Sequence, residues 1–197
     1  MGVILTACHG WIVALWAAFA IYWTVAAILG KPGTGSATSR RGPGMWKFHA
    51  ALVVTIILIL GATDRSQSLR DLQAHTFRNP LLALTGAVIA TAGAILAFTA
   101  RAAIGRYWGT PATPRLDTEL VTTGPYRFVR HPIYSGMVVM MIGTAIGLSP
   151  VWLPIAIVAG IYFLFSAQAE EKFMTERFPE SYPAYRARTK MLLPFLL

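Results

Sequence analysis

The chain is short of acid, of cysteine and of charge altogether. Only 8 of its 197 residues are Asp or Glu, against 17 Lys or Arg, and charged residues make up 13%, about half the usual quarter for a soluble domain. The lone Cys8 excludes an intramolecular disulfide or a thiolate cluster. His9, His49, His75 and His131 lie in different segments, and no His or Cys pair has ligand spacing, so no resident metal is expected. No Gly-x-Gly-x-x-Gly follows a strand-like run and no phosphate loop is present, which disfavours a soluble dinucleotide or methyl-donor fold. Repeats of 20–50 residues are absent as well. Leu5-Thr6-Ala7-Cys8 has neither a basic segment nor an apolar stretch before it, so the first apolar run is expected to be a retained span rather than a cleaved leader.

What the chain has in excess is apolar sequence, 55% of the residues. It falls in five runs: Val3–Leu29, Trp46–Ala62, Leu81–Ala100, Ile133–Leu148 and Val151–Ala169. A bilayer core of about 30 Å needs about 20 helical residues, with about 17 tolerated. The first, third and fifth runs meet that length, and the second and fourth are at its lower edge. The expected architecture is therefore an all-α integral membrane protein of five transmembrane helices, with four spans and a re-entrant hairpin as the fallback.

The formal charge of +9 does not point to nucleic acid, because the cations are spread through the segments between spans rather than gathered on one soluble face. With five spans, the first and third loops and the C-terminal segment share one side and carry fourteen of the 17 basic residues. The excess of Lys and Arg on cytoplasmic segments then puts the N-terminus outside and the C-terminus in the cytoplasm. The expected partners are the lipid bilayer and a lipophilic small molecule, with no obligate protein partner evident.

Punctuation along the chain supports these limits. Gly30-Lys31-Pro32-Gly33 ends the first run, and the Gly, Ser, Thr and Pro that follow predict a mobile loop. Asn79-Pro80 suits the start of a helix. Gly86, Ala90 and Ala94 in the third run, and Gly143 and Gly147 in the fourth, have the spacing by which helices approach closely in lipid. Leu148-Ser149-Pro150 is long enough only for a tight turn, so runs four and five should lie antiparallel. That turn would return Glu170 and Glu171 to the level where run four begins. The fifth helix should continue to Pro179, and Tyr182–Leu197 mixes Tyr, Arg, Lys and Leu as an interfacial helix would.

The most informative stretch is Leu120–Tyr134, LVTTGPYRFVRHPIY. It sets two Arg, a His, two Tyr and a Gly-Pro turn against the start of an apolar run. A helix start offers free backbone N–H groups and the positive end of the dipole, and Pro132 fits a first turn where its missing N–H costs nothing. Cations, donors and ring faces together suit an anionic or mixed-charge ligand. The pattern Gly-Pro-Tyr-Arg-x-x-Arg-His-Pro-x-Tyr over Gly124–Tyr134, followed by Glu170-Glu171, Phe178, Tyr182, Tyr185 and Pro194, resembles the isoprenylcysteine carboxyl methyltransferase family of membrane enzymes. The likeness covers about Arg101 to Phe195, and the earlier spans match only in hydrophobic character.

The resemblance implies S-adenosylmethionine as cofactor, held by Leu120, Val121, Tyr126, His131, Pro132, Ile133, Tyr134 and Glu170. That ligand carries an ammonium, a carboxylate, a sulfonium and an adenine ring, and aromatic faces attract such cations. Glu171 and Arg130 are the candidate catalytic residues, with Arg101, Arg106, Trp108 and Ser166 as candidates for binding the substrate that accepts the methyl group. Ser166 stands where relatives that methylate a prenylcysteine carboxylate carry arginine, which leaves a lipid-borne amine, thiol or hydroxyl as open as a carboxylate. The expected reaction is methyl transfer by direct displacement. The alternative is a sterol-reductase-like membrane oxidoreductase using NADPH. Residues 1–100 would form a three-span membrane region and 101–197 the cofactor-binding, catalytic region of a single membrane domain.

Overall fold

The computed structural model describes residues 2–29, 67, 70–71, 78–107 and 119–192. Five helices are found there: α1 (Gly2–Leu29), α2 (Pro80–Ile104), α3 (Pro132–Gly147), α4 (Trp152–Arg177) and α5 (Tyr182–Arg188). Short 3-10 turns occupy Gly105–Tyr107 and Gly124–Arg127. Among the described residues no strand is formed beyond a single bridge between Val129 and Lys190. Three helices, α1, α2 and α4, are long and apolar enough to cross a membrane. The expected second span, Trp46–Ala62, lies outside the described residues. α3 is apolar but has only 16 residues, about 24 Å at 1.5 Å per residue, and so falls short of a full hydrocarbon thickness by itself.

Each helix boundary has a local cause. Asn79 caps α2: its side-chain oxygen accepts from the N–H groups of Leu81 and Leu82 at 3.0 and 3.2 Å, with Pro80 in the first turn. α2 ends at Gly105, whose φ of 52° only glycine adopts without strain. The fifth apolar run does continue past Ala169, and α4 stops at Arg177, two residues before Pro179. Between α3 and α4 the turn is short, with Ser149 N–H donating to Thr144 O at 3.1 Å and Trp152 N–H to Ser149 O at 3.1 Å.

Inside a bilayer the apolar effect does not drive helices together, so contact distance decides which pairs associate. Among the described elements, α2 packs on α3 more extensively than any other pair does, and glycine is the reason. A Cβ on Gly86 would lie 2.4 Å from Gly147 Cα, one on Gly93 2.5 Å from Met140 N, and one on Gly143 2.4 Å from Ala90 N. The expected small-residue stripes thus meet each other. α1 completes the packing with Ile12, fully buried against α2 and α3. Two indoles tie it polar-to-polar: Trp16 Nε1 donates to Thr144 Oγ1 at 3.0 Å, and Trp11 Nε1 to Thr91 Oγ1 at 2.8 Å.

Gly86→Ala is accordingly expected to destabilise the protein by the ~1–3 kcal/mol typical of overpacking, read as a lower thermal unfolding midpoint in detergent. Gly10→Ala, with nothing within 4 Å of the new methyl, should leave the midpoint where it is. Equal midpoints for both variants would show that the glycine contact does not hold α2 to α3.

Candidate functional site

The cluster singled out in the sequence is assembled where the start of α3 meets the C-terminal part of α4. Gly124, at φ 59°, begins the 3-10 turn that carries Tyr126, and the chain then runs through Phe128–Arg130 into His131, the N-cap of α3. His131 makes no side-chain capping bond. Its ring turns instead toward α4, where Nδ1 lies 3.2 Å from Glu170 Oε2 and Nε2 3.6 Å from Glu171 Oε1. Tyr134, one helical turn on, donates its hydroxyl to Glu170 Oε1 at 2.5 Å.

The two adjacent glutamates have different surroundings. Glu171 is buried, with Arg130 Nε 2.6 Å from Oε1 and Arg186 Nε 3.5 Å from Oε2. Glu170 keeps 28% of its side chain exposed, whereas the side chains of Arg130, His131 and Glu171 are 7–9% exposed. Glu170 is therefore the open carboxylate of the cluster, held on one side by a phenol and an imidazole. Rings line its approach. His131 stacks on Tyr134 with centroids 5.7 Å apart, and Tyr134 on Phe163 at 4.8 Å. Phe163 was not anticipated; its spacing of seven from Glu170, two helical turns, was the available signal.

Other expected residues fall around this centre. Tyr126 and Ile133 are buried and pack with Ala100, with Val121, Ile104 and Trp23 against them. Leu120 is half-buried in the extended stretch before the turn, and Pro132 is fully buried. Ser166 is buried on α4, one turn before Glu170. Arg101, at the end of α2, donates from Nη1 to Gly105 O at 2.8 Å. Arg106 belongs to the turn Gly105–Tyr107, and Trp108 lies outside the described residues. Arg186 and Thr189, which the sequence did not single out, join the cluster through Glu171 and Arg130. An open apolar groove of about 650 Å3 between α1 and the first half of α2, lined by Cys8, Trp11, Leu84 and Thr91, includes none of the residues of this cluster.

Electrostatics sort the groups into donors and acceptors. Burial pushes the phenol of Tyr126 above its ordinary range, with the Glu170 charge adding to it, and Tyr182 is raised by burial and then by Glu171. Both hydroxyls stay protonated at neutral pH. For His131, burial works against the imidazolium, but Glu170 and then Glu171 outweigh it and raise the pKa above 6.5. A group raised on folding adds stability that is complete below its unfolded pKa and declines as pH climbs through the folded value. The thermal advantage of the native protein over His131→Gln should therefore be greatest below pH 6.5 and shrink as pH rises beyond it. A difference independent of pH would mean that folding does not shift the His131 pKa.

Comparison with known proteins extends the picture from residues to ancestry. Methanethiol S-methyltransferase 1 of Bradyrhizobium diazoefficiens is 32% identical over 130 residues, 59% of this chain and 44% of that protein. Nickel-cobalt-cadmium resistance protein NccN of Alcaligenes xylosoxydans xylosoxydans is 28% identical over 161 residues, 80% of this chain and 67% of that protein. Protein-S-isoprenylcysteine O-methyltransferase B of Arabidopsis thaliana is 32% identical over 80 residues, 40% of this chain and 41% of that protein. The matched region of this chain thus spans under half the length of the first and last of these. The phospholipid methyltransferase family pattern matches residues 81–181, from the start of α2 past the glutamate pair, and with its long apolar helices the chain belongs to that family of membrane proteins.

Proposed function

We propose that this chain is an S-adenosylmethionine-dependent methyltransferase of the membrane, acting on a lipophilic acceptor with an uncharged nucleophile. The observation that carries the reading is the partly exposed Glu170 carboxylate, fixed by Tyr134 and His131 beside a run of stacked rings. Such a carboxylate suits the ammonium of the donor, and ring faces suit its sulfonium and adenine. The first-turn N–H groups of α3 have no acceptor within the helix and suit its carboxylate. The donor set therefore fits the group. The NADPH-dependent reductase alternative is not favoured, since the matched family is one of methyl transferases.

The donor would supply an electrophilic methyl group on a sulfonium: an acceptor lone pair would form the new bond as the methyl–sulfur bond breaks, its electron pair staying on the departing thioether sulfur, and a thiol or amine acceptor would lose its proton to solvent. The protein's own part is positional. Glu170 anchors the ammonium, Tyr134 and His131 stop the carboxylate from rotating, and Val121, Tyr126 and Ile133 keep water from the apolar side. Alignment of this kind can contribute about 7–11 kcal/mol. For the acceptor, the composition of α3 and of α4 before Glu170 supports an uncharged nucleophile: neither contributes a Lys or Arg. Ser166, where a carboxylate-methylating relative would carry arginine, leaves a carboxylate acceptor without that counter-charge. A thiol or amine needs none, and the name of the Bradyrhizobium relative points the same way. By the charge distribution, the site faces the cytoplasm.

Glu170→Gln is expected to weaken binding of S-adenosylhomocysteine by more than ~10-fold, as for a charge-assisted contact, with little change in thermal midpoint. Unchanged affinity would remove Glu170 from the donor site. Radiolabelled S-adenosylmethionine incubated with the purified protein should label a long-chain alkyl thiol or a component of a total lipid extract, and NADPH should not bind. Saturable NADPH binding without adenosylmethionine binding would reverse the assignment.

A further inference from the structure

Arg130 and Glu171 form the most deeply buried ion pair of the described residues, with side chains 8% and 7% exposed. Arg130 Nε donates to Glu171 Oε1 at 2.6 Å, and Nη1 donates to Arg186 O at 3.2 Å, to Thr189 Oγ1 at 3.5 Å and, more closely, to Thr189 O. One planar guanidinium therefore joins three elements: the start of α3, the C-terminal part of α4, and the segment that runs from α5 to Leu192. Glu171 answers with both oxygens, Oε1 to Arg130 and Oε2 toward Arg186 on that same segment.

The segment is fastened along its length as well. Arg130 N–H donates to Lys190 O at 2.8 Å, His131 N–H to Met191 O at 3.0 Å, and Lys190 N–H to Phe128 O at 3.4 Å. Ser135 Oγ donates to Leu192 O, and Tyr185 Oη donates to Tyr126 O at 2.7 Å. Residues 182–192 thus cross the beginning of α3 as a strap. They reach Tyr126 on one side of the cluster and hold the backbone of His131, whose ring orients Glu170, on the other.

We propose that Arg130 is a positioning residue: with Glu171 as its counter-charge it clasps the strap 182–192 over the start of α3, and the docked strap sets the geometry of His131 and hence of Glu170. The strap and its clasp belong to the fold whatever the ligand is; that they close a donor site rests on the function proposed above. Arg130 does not touch the donor. Its planar fork reaches a carboxylate and two backbone carbonyls at once, which the point charge of lysine does not reproduce. Removing either member of the pair leaves the other charge buried and uncompensated, whereas removing both relieves it.

The test uses the full chain in detergent or nanodiscs and reads two quantities, amide hydrogen exchange of residues 181–192 and affinity for S-adenosylhomocysteine. Arg130→Lys and Arg130→Gln should each speed exchange in the strap and weaken binding by ~10-fold or more, the scale of a broken buried pair, while amides of α2 stay as slow as in the native protein. Arg130→Gln combined with Glu171→Gln should be less impaired than the two single changes would give by addition. Tyr185→Phe, which loosens the strap from its far side and leaves Arg130 in place, should also speed exchange and weaken binding. A disulfide between the bridged positions, made by Val129→Cys and Lys190→Cys with Cys8→Ser, should restore affinity to Arg130→Gln.

Weakened binding with unchanged strap exchange, or no rescue by the disulfide, would overturn the proposal and make Arg130 a direct ligand contact. Unchanged exchange and unchanged affinity would overturn it also. Should Arg130→Gln not fold, Arg130→Lys and Tyr185→Phe still decide the matter. Failure of the native protein to bind S-adenosylhomocysteine would instead refute the donor reading, and the exchange comparison would still report whether Arg130 clasps the strap.

Discussion

A carboxylate at the end of an apolar helix is expensive unless something compensates it, and α4 carries two in succession. Their compensation organises this half of the molecule. Glu171 takes up the guanidinium of Arg130 and faces that of Arg186, and Glu170 takes up the phenol of Tyr134 and the imidazole of His131. Each partner comes from the start of α3 or from the segment after α4. The arrangement is possible because the turn between α3 and α4 is short, so that the end of one helix lies level with the start of the other. Buried pairs of this kind seldom add net stability, but they are costly to break. They select one arrangement of the three elements over the alternatives.

The second constraint lies deeper in the bundle. α2 and α3 touch backbone to backbone at Gly86, Gly93, Gly143 and Gly147, which leaves no room for side chains between them. Polar atoms inside this apolar packing are satisfied locally: Thr144 Oγ1 accepts from Trp16 and donates to Met140 O at 2.8 Å. A rigid pair of helices then fixes the position from which Tyr126, Ile133 and Tyr134 are displayed. The result is a firm apolar wall on one side of the cluster and a strap on the other, with Glu170 in the opening between them. Under the function proposed above, such an arrangement would suit a polar donor arriving from the aqueous side and a lipophilic acceptor arriving from the bilayer.

Much of this was legible in the chain itself. Length and polarity delimited α1, α2 and α4, because a run of about 20 apolar residues has few other uses. The Asn-Pro start of α2 and the arrest of α4 before Pro179 follow from local chemistry. The motif at Gly124–Tyr134 and the pair at Glu170-Glu171 were recognisable as chemistry-bearing, since charges and rings at such a boundary need partners. The residue types at 130, 131, 134, 170 and 171 therefore fixed what kinds of contact were possible.

Only the tertiary structure decided which partner each group took. The sequence placed both glutamates in one pocket, Glu170 as a donor ligand and Glu171 as a catalytic candidate, but nothing in it showed that Glu171 is clasped by two arginines while Glu170 stays open. That division depends on the rotation of α4 about its axis, which places Glu171 under Arg130 and Arg186 and leaves Glu170 facing outward. It depends also on the return of Thr189–Leu192 across the start of α3, a contact between residues some sixty positions apart. Local composition carries no record of either, because both are set by how close the packed helices can come and by which charges are then left without water.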